Sequence, residues 1–224
     1  MMAIALLFGV FALLLMAGVP VAYALAAAAV VVVLHLDLPL ILAAQQLAAG
    51  AGAISLIAIP LFIFTGELML RGGISERLIG LAGSLVGHIR GGLGQVNVLS
   101  NLFFGGVSGS AIADVSAVGG AMIPQMVKRG FDRDFAVNVS VSAALVALLV
   151  PPSHNLILYS AAAGGGLSIA DLFAAGIVPA LLMTFAMMVT GWLIARRRGY
   201  AVEAFPGFRM VLVRLVSALP GLLL

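Results

Sequence analysis

The run Ser108-Gly109-Ser110 contains residue types that suit the binding of a small cation. Its hydroxyl groups and exposed backbone carbonyls are oxygen ligands, which hard cations prefer. Glycine admits positive φ angles and lets the backbone approach an ion closely. We therefore predict a sodium site to which Ser108 and Ser110 contribute ligands. The alternative is that glycine and serine only permit close helix packing at this position.

Asp114 follows this run within a helix that we predict to begin near Ala111. The N-terminal amides of that helix would point toward the same place, where they could hold a carboxylate. Asp114 either adds negative charge to the cation site or caps the helix.

The second segment is Pro151-Pro152-Ser153, which lies in the middle of the apolar run 143–163. Two adjacent prolines must interrupt a helix and free backbone carbonyls upstream. Discontinuous helices of this kind form substrate and ion sites near the bilayer midplane in secondary transporters. Ser153 supplies a hydroxyl, and His154 and Asn155 supply further polar contacts. The alternative is a packing kink whose polar groups are satisfied by neighbouring helices.

The remaining polar residues have supporting roles in this interpretation. Glu67 is predicted to pair with Arg71, which follows it at helical spacing. Asn101 is expected to tie its helix to a neighbour, although contact with substrate stays open. His35 and His88 are expected to be solvated at interfaces. The order of residues shows neither a nucleophile with its base nor metal-ligand spacing, so we predict no enzyme and no organic cofactor.

The elements that position these residues must lie in a membrane. The chain has 63% hydrophobic and only 8% charged residues, whereas a soluble domain has about a quarter charged residues. It has no cysteine, which excludes disulfides and thiolate chemistry. Its basic residues are clustered without exposed aromatics between them, so we expect no nucleic-acid partner. The sequence predicts an all-α integral membrane protein that crosses the membrane several times and is in contact with lipid.

The basic clusters predict the topology, because short basic loops face the cytoplasm. Residues 91–127 lack Lys and Arg and run from one cluster to the next. As a helix they would reach roughly 55 Å, which is too short for two crossings of a hydrocarbon core about 30 Å thick. Since residues 104–110 are rich in glycine and serine, we predict a re-entrant helical hairpin whose tip lies inside the membrane.

The rest of the chain divides around this hairpin. Residues 1–73 are predicted to be transmembrane scaffold helices, with a break at Gly18-Val19-Pro20 that places the N-terminus outside. If that break is only a kink, the N-terminus lies in the cytoplasm. Asp37 or Leu38 would cap a short helix begun by Pro39.

Residues 74–90 form a predicted amphipathic helix along the interface. The broken helix 134–163 completes the transport core, residues 164–168 with Asp171 form a periplasmic turn, and residues 168–198 cross the membrane. Residues 199–224 would begin a second repeat.

Several separated segments together resemble the large membrane subunit of tripartite ATP-independent periplasmic (TRAP) transporters, and in particular its N-terminal half. These segments are residues 59–69, 87–93, 104–114, 123–132 and 151–153.

The resemblance implies an elevator-type, sodium-driven importer of small organic anions such as C4-dicarboxylates or sialic acid, located in a bacterial inner membrane. It also implies a small four-helix membrane subunit and a periplasmic substrate-binding protein as partners. Ser108, Gly109, Ser110 and the break at residues 151–153 would correspond to the family's first sodium site.

The family's large subunit is about twice as long, with a second, inverted repeat that would be a further partner of this half. The alternative functions are a binding-protein-independent carrier and a structural or assembly half-subunit, or a fragment, without transport of its own.

Overall fold

The structure is a computed structural model that describes residues 1–52, 54–163, 166–200, 202 and 204–222. All regular structure in these ranges is helical, which confirms the all-helical prediction. The described residues form two units, Met1–Ile54 and Ser55–Leu224. Among the described helices, Ile169–Arg198 alone is both long enough and apolar enough to cross a membrane, and several shorter helices are also apolar. The predicted turn at residues 164–168 lies partly outside the described residues.

The first unit contains the helices α1 (Met2–Met16), α2 (Val21–His35) and α3 (Leu40–Ala51). Gly18 has a φ of 82°, and Pro20 precedes α2, so the chain forms two helices here rather than one kinked helix. Asp37 has a φ of 54° in the turn after α2. The residue preceding α3 is Pro39, without a side-chain cap, so the prediction of Asp37 or Leu38 as the cap is wrong.

The second unit contains nine described helices, and most of them pack against α6. They are α4 (Ile54–Arg71), α5 (Ile74–Val86), α6 (Gly92–Ser108), α7 (Ala111–Asp114), α8 (Gly120–Lys128), α9 (Arg133–Ala144), α10 (His154–Ala162), α11 (Ile169–Arg198) and α12 (Phe208–Leu222). A π-helical segment, Val115–Gly119, joins α7 to α8, and a 3₁₀ segment, Leu145–Leu148, extends α9.

Helices α6, α7 and α8 form a helical hairpin. A Cβ at Gly94, near the start of α6, would be 3.9 Å from the Cε of Met126, near the end of α8. The side-chain amide of Asn97 is 3.6 Å from the sulfur of the same Met126. The chain therefore turns after Ser108 and returns to the end from which it started.

Helices α9 and α11 pack beside α6, and the contacts show that α9 runs parallel to α6 and α11 antiparallel to it. A Cβ at Gly105 would be 2.7 Å from the Cα of Ala147, which only glycine allows. A Cβ at Gly176, early in α11, would overlap the carbonyl of Leu149, and one at Gly91 would overlap the Cβ of Ala195. The hairpin tip thus lies at one end of the unit, and the basic ends of α8 and α11 lie at the other.

Helix α5 packs against α6 on one side and α12 on the other. Leu78 and Leu81 are buried in a cluster with Phe104 and Met122 of the hairpin. A Cβ at Gly221 of α12 would overlap the side chain of Ile74. The predicted apolar face of residues 74–90 is therefore largely covered by protein.

Candidate functional site

Gly109 forms the tip of the hairpin. It ends α6 with a φ of 57°, in the left-handed region that glycine adopts without strain. A Cβ at this position would also overlap the carbonyl oxygen of Pro152. Conformation and space together require glycine here.

Ser110 follows in extended conformation and caps α7, accepting a hydrogen bond from the amide of Ala113 at 3.5 Å. Serine is a preferred residue for this role. Ser110, not Asp114, is therefore the residue that caps α7. Of the two roles predicted for Asp114, the contribution of charge to a cation site stays a prediction.

Asp114 is completely buried beneath the tip. Ser108 donates a hydrogen bond from its hydroxyl to Oδ1 of Asp114. The other carboxylate oxygen, Oδ2, is buried without a hydrogen-bond partner among the described residues. Such a carboxylate is costly in apolar surroundings unless a cation or a proton compensates it. The π-helical segment begins at the next residue, and π-bulges occur often at functional sites.

The broken helix meets the tip directly. Helix α9 and its 3₁₀ extension end at Leu148, and α10 begins only at His154. Ser153 is buried and donates from its hydroxyl to the carbonyl of Leu148 at 2.7 Å, which satisfies one carbonyl freed by the break. A Cβ at Gly106 would be 3.7 Å from the carbonyl oxygen of Pro151. The two sequence segments thus come together, although they are some forty residues apart in the chain.

A cavity of about 200 Å³ lies beside the tip. It is lined by residues of α4, the tip and the start of α10, namely Ile63, Gly66, Glu67, Ser108, Ser110, Ala113 and His154. The Nε2 atom of His154 is buried without a partner among the described residues. Glu67 pairs with Arg71 at 2.9 Å, as predicted, but its position at the cavity was not foreseen.

Asn101 begins a chain of buried hydrogen bonds that leads from α6 to α9. Its amide donates to the backbone and side-chain oxygens of Asn97, both at 2.8 Å. Asn97 donates in turn to the hydroxyl of Ser140 at 2.5 Å, and Ser140 donates to the carbonyl of Ala136 at 2.8 Å. The supporting role predicted for Asn101 thus depends on Asn97 and Ser140, which sequence reasoning missed. Asn155 is exposed, and its side chain makes no hydrogen bond in the described part of the chain.

A second polar cluster lies at the opposite end of the hairpin. Asp132 accepts hydrogen bonds from the hydroxyl of Tyr200 at 2.8 Å and from the guanidinium of Arg198. These two donors hold the pKa of Asp132 below its ordinary value. The Tyr200 ring also packs against Phe131 and Phe135, with centroid distances of 4.3 and 5.5 Å. The cluster fastens the loop after α8 to the end of α11.

Comparison with known proteins agrees with the sequence resemblance. Residues 8–224 match the family described as the DctM component of the tripartite ATP-independent periplasmic transporter. An uncharacterized protein of Salmonella typhimurium, YgiK, is 39% identical over 224 residues, which are 99% of this chain and 51% of that protein.

Two relatives with assigned roles are also similar. The sialic acid TRAP transporter large permease protein SiaM of Vibrio cholerae is 41% identical over 69% of this chain and 36% of its own length. The C4-dicarboxylate TRAP transporter large permease protein DctM of Rhodobacter capsulatus is 35% identical over 69% of this chain and 38% of its own length. The chain therefore spans about half or less of these relatives, which are membrane permeases. The match over nearly the whole chain shows that it belongs to the DctM family of TRAP transporter large permeases.

Proposed function

We propose that this chain is a membrane subunit of a sodium-coupled secondary transporter that imports small organic anions. The observation that carries this proposal is the buried Asp114, whose Oδ2 atom has no partner among the described residues. The described ion pairs join other residues, Glu67 to Arg71 and Asp132 to Arg198. A cation taken from solution would supply the compensation that the buried carboxylate needs.

The surroundings of Asp114 favour sodium over a transition metal. The hydroxyl of Ser108 contacts Asp114, and the carbonyl of Pro152 in the broken helix lies against Gly109, so the groups at the tip itself are oxygen ligands. Carboxylate, carbonyl and hydroxyl oxygens suit hard cations, whereas transition metals favour imidazole and thiolate ligands. A sodium ion held at the tip would hold it in place against the break at residues 151–153 and so order the adjacent cavity.

The cavity beside the tip supports an anionic substrate. His154 is one of the residues that line the cavity, and its buried Nε2 atom, which has no described partner, can donate a hydrogen bond when it carries the proton. The names of two relatives, for sialic acid and for C4-dicarboxylates, both denote carboxylates. We extend this class of substrate to the present chain.

The proposal includes the partners and the location of the family. A periplasmic binding protein would deliver the anion, a small membrane subunit would support the scaffold, and a second repeat would complete the site. The hairpin would enter an inner membrane from the cytoplasm and return, as part of an elevator-type transport core. Helix α6 has 17 residues and so measures roughly 25 Å, shorter than a hydrocarbon core of about 30 Å.

The ion test uses thermal unfolding of the purified chain in detergent. We expect sodium to raise the unfolding midpoint at concentrations where potassium and choline at equal ionic strength do not, because only the smaller ion fits close oxygen ligands. Ser108→Ala should weaken this sodium effect, and Ser142→Ala, on α9, serves as its control. Equal midpoints in sodium and potassium would reject sodium as the coupling ion.

The transport test is sodium-dependent uptake of a dicarboxylate by a full-length family member carrying this sequence, with its binding protein.

The placement of the hairpin has its own test. Because the chain lacks cysteine, Arg90→Cys and Lys128→Cys provide single labels on an otherwise unreactive background. A membrane-impermeant thiol reagent should reach both from the cytoplasmic side. Labelling of the two from opposite sides would make this segment a simple crossing.

A further inference from the structure

A pocket of about 340 Å³ lies between α5 and α12, separate from the hairpin tip. Its lining includes Gly80, Gly83 and Ser84 of α5, His88 just beyond that helix, and Met210 and Arg214 of α12. The linker that leads into α12 closes one side through Ala204 and Pro206. None of the roles discussed above uses this pocket.

The glycines of α5 create the space. A Cβ at Gly80 would be 3.1 Å from Nη1 of Arg214, so the guanidinium lies directly over bare backbone. A Cβ at Gly83 would meet nothing within 4 Å, which makes this position the open floor of the pocket. The absence of side chains from this face of α5 therefore both positions Arg214 and leaves room beside it.

The pocket presents cationic and hydrogen-bonding groups that nothing in the described structure neutralises. Arg214 makes neither a hydrogen bond nor an ion pair through its side chain among the described residues. By contrast, Arg77 on the same interface donates to the carbonyl of Ser217. His88 lies edge-on against Phe205 at 5.0 Å, and its Nδ1 atom is buried without a described partner. This corrects the expectation that His88 is simply solvated. No acidic side chain is among the described residues that line the pocket.

We propose that this pocket binds the phosphate of an anionic membrane lipid, with Arg214 as the main contact and His88 as a second donor. Arginine binds phosphate oxygens through charge-assisted hydrogen bonds. Basic pockets on the cytoplasmic side of membrane proteins are suited to lipid headgroups. The glycine floor allows the headgroup to approach the backbone of α5.

The apolar side of α12 identifies a lipid, rather than free phosphate, as the source of this group. Phe208, Leu212 and Val216 recur every four residues and are 85, 62 and 60% exposed. They form an apolar stripe beside the turn that carries Arg214. A lipid would place its phosphate in the pocket and its acyl chains along this stripe, whereas inorganic phosphate would use the pocket alone.

The experiment titrates the detergent-solubilised chain with short-chain phosphatidylglycerol and, separately, with inorganic phosphate, and measures binding by the shift in unfolding midpoint. Arg214→Gln should weaken lipid binding about tenfold, which is the typical effect of losing one charge-assisted contact. Arg209→Gln is the matched control, because Arg209 lies on the same helix and does not line the pocket. It should change binding less than about twofold.

Gly83→Val distinguishes lipid binding in a defined pocket from a diffuse attraction of the lipid to positive charge. It keeps every cation, and its Cβ meets no neighbour, so the fold is expected to persist while the pocket is filled. We expect it to weaken lipid binding as much as Arg214→Gln does. Equal losses for Arg209→Gln and Arg214→Gln, or unchanged binding by Gly83→Val, would overturn the site. Inorganic phosphate binding as tightly as the lipid would overturn the lipid as its ligand.

Discussion

Asp114 and Asp132 lie at opposite ends of the same hairpin and have opposite surroundings. Asp132 is exposed and receives hydrogen bonds from Tyr200 and Arg198. The guanidinium of Arg198 therefore supplies the positive charge that compensates this carboxylate. Asp114 is completely buried and receives one hydrogen bond, from Ser108, while its second oxygen has no described partner. The more costly location has the fewer partners.

This difference separates a structural carboxylate from one suited to binding. A paired carboxylate at the surface contributes modestly to stability and gains nothing from an added ion. A buried carboxylate with an open oxygen gains strongly when a cation arrives. Conversion of each aspartate to the isosteric amide should therefore affect different properties of the protein.

The largest expected effect comes from Asp114→Asn. We expect the variant to lose the sodium-dependent increase in stability, which for an ion at a hundred times its dissociation constant amounts to about 2.7 kcal/mol. Without sodium the variant should be at least as stable as the parent, because the amide needs neither a cation nor a proton to compensate it. The measurement is the thermal unfolding midpoint against sodium concentration.

Asp132→Asn is the matched control for this comparison. It should lower the unfolding midpoint to the same extent with and without sodium, since its partners are Tyr200 and Arg198. If Asp114→Asn kept the full response to sodium, the contrast between the two aspartates would have no functional meaning.

The second largest effect is expected from Gly109→Ala, which tests whether the tip geometry around Asp114 is rigid. The left-handed conformation costs a residue with a Cβ about 1–2 kcal/mol, and the overlap with the Pro152 carbonyl adds to this cost. Gly120→Ala is the control, because a Cβ at Gly120 meets nothing within 4 Å. It should be neutral or slightly stabilising. Equal midpoints for the two variants would show that the tip is loosely held.

The helix breaks were predictable because they depend on local chemistry. The end of α6 near Ser108 and the restart at Ala111 follow from a cluster of glycine and serine between two basic flanks. The interruption before His154 follows from two prolines, which lack the amide hydrogen that a helix needs. The existence of the breaks was predicted better than their bounds. Residues 104–108, which the pattern assigned to the tip, belong to α6, and α9 gives way to a 3₁₀ segment at Leu145, before the prolines. That these breaks lie inside a membrane stays a prediction.

The contacts between distant segments were not predictable from one sequence. The hydrogen bond from Asn97 to Ser140 requires knowing that α6 and α9 are neighbours, and no local pattern reveals this pairing. The contact of the Arg214 side chain with Gly80 likewise requires knowing that α5 and α12 are neighbours. A partial signal existed for Asn97, since it precedes Asn101 by one helical turn on the same face.

The third prediction tests how firmly the hairpin helix α6 is connected to α9. Asn97→Ala removes the acceptor for Asn101 and the donor to Ser140, both within a buried network. We expect a loss of about 1–2 kcal/mol in unfolding free energy, because buried partners are left unsatisfied. Asn155→Ala, at an exposed position, should change it by less than about 0.5 kcal/mol. A neutral Asn97→Ala would mean that water replaces the lost partners.

The smallest expected effect concerns the pH dependence of the cluster around Asp132. The hydrogen bonds from Tyr200 and then from Arg198 lower the pKa of Asp132 in the folded state. A lowered pKa contributes stability that is fully present above the ordinary value of about 3.9 and is lost as pH falls below it. Tyr200→Phe removes the larger of these causes, so the pKa of Asp132 should rise toward its ordinary value.

Accordingly, Tyr200→Phe should be less stable than the parent near pH 6, and the difference should shrink as the pH approaches 3.5. The effect is small and decreases with salt, because the group is fully exposed to solvent screening. Thermal midpoints measured across this range provide the test, with Tyr159→Phe, at an exposed tyrosine, as the control. If the unfolding midpoints of Tyr200→Phe and the parent kept a constant difference across this pH range, the Tyr200 hydroxyl would not lower the pKa of Asp132. The contrast between the two aspartates would then rest on Asp114 alone.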